Sequence, residues 1–497
     1  MSGPRFLDLF AWEWRQVGRS RLLWLVLAIL SASFVWGALN TSALHDSQTA
    51  ALERARAADI AWEQRTAQLA RDFHGPSTPA NGQVAYWQDP TNIGGYSEYF
   101  VRKTALKPHL PLSPLAAGVS DLAPSRLEIK LNTPFGFADT YDFENPRGLA
   151  LGRFDLAFAI VFVLPIGLLL LFALLVTFEK DRGMLRLVAA QAASPRLWIG
   201  ARVSAILAWV APIVLLAIML ALTTAGVPIG AVAGALGTAL FLTLLYMLFW
   251  SGIALLVLGE QPGAGTALGL LAATWAGITI GLPLAGSALV GTLDPAPSAI
   301  GYVDAQRRAN DAIQTDATSI ITRAMHARPG LRAHVDRIAT IDHATKLSFL
   351  VPETERRLAS LKTEIENHRV RQEATARTAG YLIPPLGLDG ALASLAGTDA
   401  ERQRAFEEQA REYQHRLRER VQPLVHQRIT LPPAPEKRAT RGVLDLPQPL
   451  KLPSFAQAER PASDMIRDVL PFAGWLFILA VITIGLGLWR IRNWKVI

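Results

Sequence analysis

Phe154-Asp-Leu-Ala-Phe-Ala-Ile-Val-Phe-Val-Leu-Pro-Ile-Gly-Leu-Leu-Leu-Leu-Phe-Ala-Leu-Leu-Val-Thr-Phe178 carries a single ionisable side chain, Asp155, at its edge. A helix rises about 1.5 Å per residue and a bilayer's hydrocarbon layer is about 30 Å thick, so roughly 20 apolar residues cross it. Five further stretches qualify: Leu22 to Leu39, Val203 to Thr223, Ile229 to Leu258, Ala264 to Val290 and Val469 to Trp489. The fold class expected is therefore an α-helical integral membrane protein of six spans. Composition agrees: 51% of the residues are apolar and 18% charged, where a soluble domain carries about 25% charged residues.

Orientation follows from the basic residues at the span ends, because Lys- and Arg-rich loops stay cytoplasmic. Arg5, Arg15, Arg19 and Arg21 precede the first span. Lys180, Arg182, Arg186, Arg196 and Arg202 follow the second, and Arg490, Arg492 and Lys495 close the chain. Six crossings put all three groups on one face, opposed by only Asp8, Glu13, Glu179, Asp181 and Glu260. Both termini are thus expected in the cytoplasm, and nearly all of the formal charge of +8 sits there. No surplus is left to neutralise phosphates elsewhere, so nucleic acid is not an expected partner. The acids inside the leading segment and the length of the first apolar run argue against a cleaved signal peptide.

More than half of the chain lies in two insertions, residues 40–153 and 291–468, expected on the periplasmic or extracellular side. In the first, Ala50 to Phe73 has helical periodicity, His74 to Pro124 reads as irregular, and Arg126 to Leu131 alternates as a strand does. The second reads as helices over Val303–Ala327, Arg332–Ile341, Pro352–Thr378, Leu386–Leu395 and Ala400–Gln427. Thr398 and Glu401 form a capping-box pattern for the last. A Pro-rich return over Leu431–Pro453 follows.

Chemistry of its own is not announced. No phosphate-binding G-x-x-x-x-G-K-[ST] loop occurs, so ATP hydrolysis would have to come from another chain. The nine histidines (His45, His74, His109, His326, His334, His343, His368, His415 and His426) all fall in the insertions and show no metal-ligand spacing. The chain has no Cys. Neither a metal, a cofactor nor a catalytic residue is expected. Ionisable groups within the spans are confined to edges, Asp155 (read as lying beside Arg153) and Glu260, which argues against an ion-coupled carrier. In the fifth span Gly265, Gly269, Ala273, Gly277 and Gly281 form a stripe of small residues. It is a helix-packing surface, serving within the chain, at a dimer seam or along a pathway.

Between the second and third spans, Glu179-x-x-x-Gly183-x-Leu185-x-Leu187 leads through Ser194-Pro195-Arg196 to Gly200. This pattern resembles the coupling region of ABC-2 (type V) ABC transporter permeases, with Met184 where that family usually has Thr. Phe6, Leu9, Phe10, Trp14 and Val17 suit the family's N-terminal interfacial helix. Ser113 to Pro124, Ala396-Gly-Thr-Asp399, Arg404 and Phe406 are similar to recurring segments of a subgroup with two large extracytoplasmic insertions. The resemblance implies an interfacial helix over 1–21, spans at 22–39, 154–178, 203–223, 229–258, 264–290 and 469–489, a coupling loop over 179–202 and a tail over 490–497.

It implies a permease subunit of an ATP-driven exporter in the bacterial inner membrane, moving an amphipathic or lipid-like substrate outward. Glu179, Gly183, Leu185, Leu187 and Arg196 would couple to two ABC ATPase subunits that bind ATP and Mg. The other partners implied are a second permease copy or paralogue, membrane lipid and a periplasmic partner. The alternative is a mechanotransmission or scaffold subunit that moves no substrate and acts on an extracytoplasmic partner.

Overall fold

The computed structural model describes residues 6–74, 85–135, 154–181, 195–430 and 449–491. The chain is a helical integral membrane protein, with six helices long and apolar enough to cross a bilayer. A short helix, α1 (Phe6–Gly18), precedes α2 (Arg21–His74). The second span is entered through Leu156–Phe158 and a π turn at Ala159–Val163 before α3 (Leu164–Asp181). The next are α4 (Pro195–Thr224) and α5 (Ala233–Leu258). The fifth span runs from α6 (Ala264–Ala276) through a π turn at Gly277–Gly281 into α7 (Leu282–Leu293).

Helix α1 and the last described residues, Arg490 and Ile491, lie at one end of the bundle, called here the terminal face, and the packed insertions at the other. On the terminal face the turn between the fourth and fifth spans holds Gln261 at φ 54°. Glu260 there pairs with Arg490 at the end of the last span. Glycines set the tightest approaches: a Cβ on Gly252 would lie 2.2 Å from Thr483 Oγ1, and one on Gly487 2.5 Å from Leu255 Cβ. Those contacts zip α5 to the last helix, α13 (Ala462–Ile491). Close helix approach of this kind is how spans associate where lipid offers no hydrophobic drive.

Several helices run past the apolar stretches expected to cross the membrane. The helix carrying the first span does not stop near Leu39 but continues to His74. Its polar residues there have partners that keep the backbone helical. Thr41 Oγ1 donates back to the Gly37 carbonyl at 3.0 Å, Asn40 Nδ2 donates to the Phe154 carbonyl at 2.8 Å, and Gln48 Nε2 to the Ser120 carbonyl at 2.7 Å. The helix carrying the third span begins at Pro195 and that carrying the last at Ala462, each with a polar turn ahead of its apolar run.

The insertions pack on each other. The strand read at Arg126 is β2 (Arg126–Lys130), and it pairs antiparallel with β1 (Arg102–Leu106), in the stretch expected to be irregular. Ala105, Leu127 and Ile129 face Phe406, Tyr413, Leu417 and Val421 in one buried cluster. Those four residues lie on α12 (Ala400–Thr430), which joins the two insertions into one body. The single helix expected over Val303–Ala327 is two, α8 (Ala299–Thr315) and α9 (Ala317–His326), and Arg332–Ile341 lies mostly in a 3-10 helix, Pro329–Thr340. The next helix, α10 (His343–Leu382), absorbs Pro352 within its length and so starts earlier than expected. After it α11 (Pro384–Ala396) turns back towards the bundle.

Candidate functional site

Two regions hold buried polar chemistry against the spans, one at each face. On the terminal face α1 lies against the start of α4. Its face of Phe10, Trp14 and Val17 packs onto the bundle core, and Trp14 stacks on Trp209 with ring centroids 4.4 Å apart. Glu13 points from that face inward and is fully buried. Arg202 Nε donates to Glu13 Oε2 at 2.6 Å, Trp198 Nε1 donates to Glu13 Oε1 at 2.9 Å, and Arg202 Nη1 donates to the Leu175 carbonyl at 2.8 Å.

A buried carboxylate and guanidinium are tolerated only when their hydrogen-bonding capacity is filled, and here three helices fill it. The interfacial helix, the last turns of the second span and the first turns of the third are therefore one joint. That joint brackets residues 182–194.

Two of the residues expected to couple to an ATPase are described. Glu179 is in the last turn of α3. Arg196 is the second residue of α4 and half-buried, with no hydrogen-bond partner for its buried Nε among the described residues. Gly183, Leu185 and Leu187 lie outside the described residues. The sequence reading counted Glu13 and Arg202 only as loop charges. Their 189-residue separation leaves no local signal of pairing, although an acid within an amphipathic helix's apolar stripe is one.

Among the described residues little packs on the small-residue stripe. All five residues are exposed, and a Cβ added to Gly265, Gly269 or Gly277 would meet nothing within 4 Å. The fifth span is at once the least apolar and the least buried of the six.

On the insertion face, α11 is seated in the mouth of the bundle. Leu388, Ala391, Leu392 and Leu395 belong to the same buried cluster as the spans. At its C-terminus Gly397 takes the left-handed conformation, φ 68°, that a side chain disfavours.

Here the two distant segments Ser113–Pro124 and Ala396–Asp399 meet. Val119 N donates to the Thr398 carbonyl at 2.8 Å, and a Cβ on Gly118, itself at φ 52°, would lie 2.3 Å from that oxygen. Asp155 ties the same loop to the second span. It caps the span by accepting from Phe158 N at 2.6 Å and accepts from Ala117 N at 2.8 Å. These backbone amides are the partners found for Asp155 among the described residues; Arg153, expected beside it, lies outside them.

The expected capping box is corrected. Asp399 accepts from Arg402 N at 3.1 Å, while Thr398 Oγ1 turns back to the Ala393 carbonyl at 3.3 Å. Glu401 is held by Arg377 and Arg460, both at 2.7 Å. Arg404 pairs with Glu373, and Phe406 is buried beneath Lys107. Behind this mouth, Arg402 donates to Glu459 at 2.5 Å and to the Gly397 carbonyl at 2.9 Å. His109, stacked on His45 at 4.1 Å, is pushed down to about 4 by burial and then by the nearby Lys107 and Arg402 charges. No group of His, Asp or Glu among the described residues is arranged to hold a metal ion.

Residues 299–433 match a family described as a domain of unknown function (DUF3526). The match covers α8 to α12, the greater part of the second insertion, and leaves the spans outside it. No curated protein and no solved structure matches the chain.

Proposed function

We propose that this chain is the permease subunit of an ATP-driven exporter of the bacterial inner membrane, with the termini in the cytoplasm and the insertions outside. It pairs with a second copy or paralogue, draws its energy from two ATPase subunits, and moves an amphipathic or lipid-like substrate outward. The observation that carries this reading is the buried Glu13–Arg202 joint. A partner that pushes on residues 182–194 acts on a loop whose two helices are bound to each other and to α1, so the push is delivered to the second and third spans together.

Two further features support it. Helices that respond to a lever need a place to yield, and π turns interrupt both the second and the fifth spans. In the second span the turn is held by a hydrogen bond from Tyr246 Oη to the Val161 carbonyl at 2.8 Å. The bare stripe on the fifth span, the least apolar of the six, suits the approach of a second helix better than the approach of lipid.

The test is purification of the tagged full chain in mild detergent, with mass spectrometry of what accompanies it. An accompanying chain with a G-x-x-x-x-G-K-[ST] loop and ATP hydrolysis that depends on it is the expected result. Absence of any ATPase from native membranes of the source cell contradicts the reading.

A further inference from the structure

No residue from Leu282 to Ala312 is buried. That stretch is α7, the connector Asp294-Pro-Ala-Pro-Ser298 and most of α8, which joins the apolar interior of the insertions at Ile313. Just before it the chain is firmly held: Thr279 is buried, and Ile278 packs on the core of the bundle. Between the held part and the bare part the helical ladder is weakened. Gly277 and Gly281 bracket the π turn, and Pro283 has no N–H to offer the Thr279 carbonyl one turn back. A helix interrupted in this way bends there first. The outer half of the fifth span is thus an arm with a hinge at Gly277–Gly281.

The far end of the arm is fastened by charge. Ser287 and Thr292 turn back on carbonyls of α7 itself, whereas Asp294, at the C-terminus of α7, reaches across to α10. Arg371 Nε donates to Asp294 Oδ2 at 3.2 Å and Arg371 Nη2 to Asp294 Oδ1 at 3.1 Å, the two-pronged geometry that fixes a carboxylate in orientation. His368, buried on the same face of α10, brings its Nδ1 to 3.3 Å from Asp294 Oδ2.

The helix that receives Asp294 is itself held in two ways. The first half of α10 sinks Phe349, Leu350 and Leu358 into protein. Beyond Leu358 its buried residues are His368 and Gly380, and its seam with α12 is made of ion pairs: Arg369 with Glu407 at 3.3 Å, Glu366 with Arg411 at 2.8 Å, and Glu373 with Arg404. Exposed ion pairs set orientation while contributing little stability, so they part and re-form readily. We propose that Asp294 is a releasable latch between the fifth span and the insertions. Engaged, it makes α7 and α10 move as one body, so that a tilt of the fifth span is passed to the second insertion. Released, α7 pivots at Gly277–Gly281 and leaves α10 behind. The part of the latch in export rests on the reading given above; its existence does not, because it is measured on this chain alone.

The experiment uses the full chain in nanodiscs. The chain has no Cys, so Leu293→Cys and Leu382→Cys, both at exposed positions, take nitroxide labels at the ends of α7 and α10 without background. Leu382 lies about 16 Å along α10 from Arg371 by helical rise, which suits pulsed electron resonance once the label arms are added. A single narrow distance is expected. Asp294→Ala should broaden that distance and shift it outward, and Arg371→Gln should do the same. Asp294→Arg combined with Arg371→Asp should restore the narrow peak, because the pair is kept with its charges reversed. Asp311→Asn, which removes an acid of α8 that the latch does not include, should leave it narrow, and matched thermal unfolding of the variants confirms the fold. A broad distribution in the unaltered chain, or a narrow one that survives Asp294→Ala or Arg371→Gln, overturns the proposal. Failure of the reversed pair to restore the narrow peak in a chain with an unchanged unfolding midpoint overturns it as well. None of these measurements involves an ATPase, so the exporter reading stands or falls by its own test.

Discussion

Arg202 donates from Nε to Glu13 Oε2 at 2.6 Å while its Nη1 reaches the Leu175 carbonyl at 2.8 Å, so one guanidinium fastens three helices at the terminal face. Removing one member of a buried ion pair strands the other and costs about 3–5 kcal/mol, whereas replacing both by apolar residues is often nearly neutral. Glu13→Ala alone should therefore destabilise the chain by that amount in detergent unfolding. Glu13→Leu with Arg202→Met should recover most of the loss. If the single substitution is silent, the joint does not hold the helices.

Gly118 tests the joint at the opposite face. Its φ of 52° and the 2.3 Å approach to the Thr398 carbonyl leave no room for a methyl group. Gly118→Ala should cost about 1–3 kcal/mol through backbone strain and the displaced contact. Limited proteolysis should then cut the α11–α12 connection faster than in the unaltered chain. Unchanged proteolysis contradicts the tie between the two insertions at this point.

The absence of Cys makes the fifth span easy to probe. Gly269→Cys adds a side chain where nothing in the chain lies within 4 Å. If a second copy packs on the stripe, mild oxidation should give a disulfide-linked dimer from Gly269→Cys but not from Leu282→Cys in the same span. Equal yields at both positions would mean collision in the membrane and no specific seam.

Acid should loosen the insertions. His109 and His426 are both pushed down to about 4 from 6.5, chiefly by burial. The folded state thus binds fewer protons than the unfolded chain between those values, and their contribution is lost as pH falls from 6.5 towards 4. Asp389 has the opposite sign. Its carboxyl is raised to about 6 from 3.8, so its contribution is present at low pH and is lost as pH rises through 6. Unfolding midpoints at pH 7 and pH 4.5 should differ less in His109→Gln with His426→Gln than in the unaltered chain, and more in Asp389→Asn.

Much of the architecture is written in the sequence because a bilayer imposes length and polarity on every crossing, and apolar runs such as Phe154 to Phe178 have few other uses. What was missed depends on distant partners. Asn40 and Gln48, on the part of α2 beyond the apolar run, are satisfied by the distant carbonyls of Phe154 and Ser120. β1 lies in a Pro- and Gly-rich stretch and exists because β2 and α12 cover it. The seating of α11 had one legible sign. Apart from Asp389 and Ser394 its residues are apolar, which suits a helix seated against the spans and not one on a solvated bundle. At the terminal face the Glu13–Arg202 pair, 189 residues apart, could only come from the three-dimensional arrangement.

The most direct test of the energy-coupling claim is a photo-crosslinking amino acid placed at Leu187 in otherwise unaltered cells. The account predicts that light joins this position to a cytoplasmic chain bearing a G-x-x-x-x-G-K-[ST] loop, and that trapping the ATPase with a non-hydrolysable nucleotide changes the yield. Crosslinks confined to proteins outside the membrane, with none to an ATPase, would contradict both the orientation and the proposed source of energy.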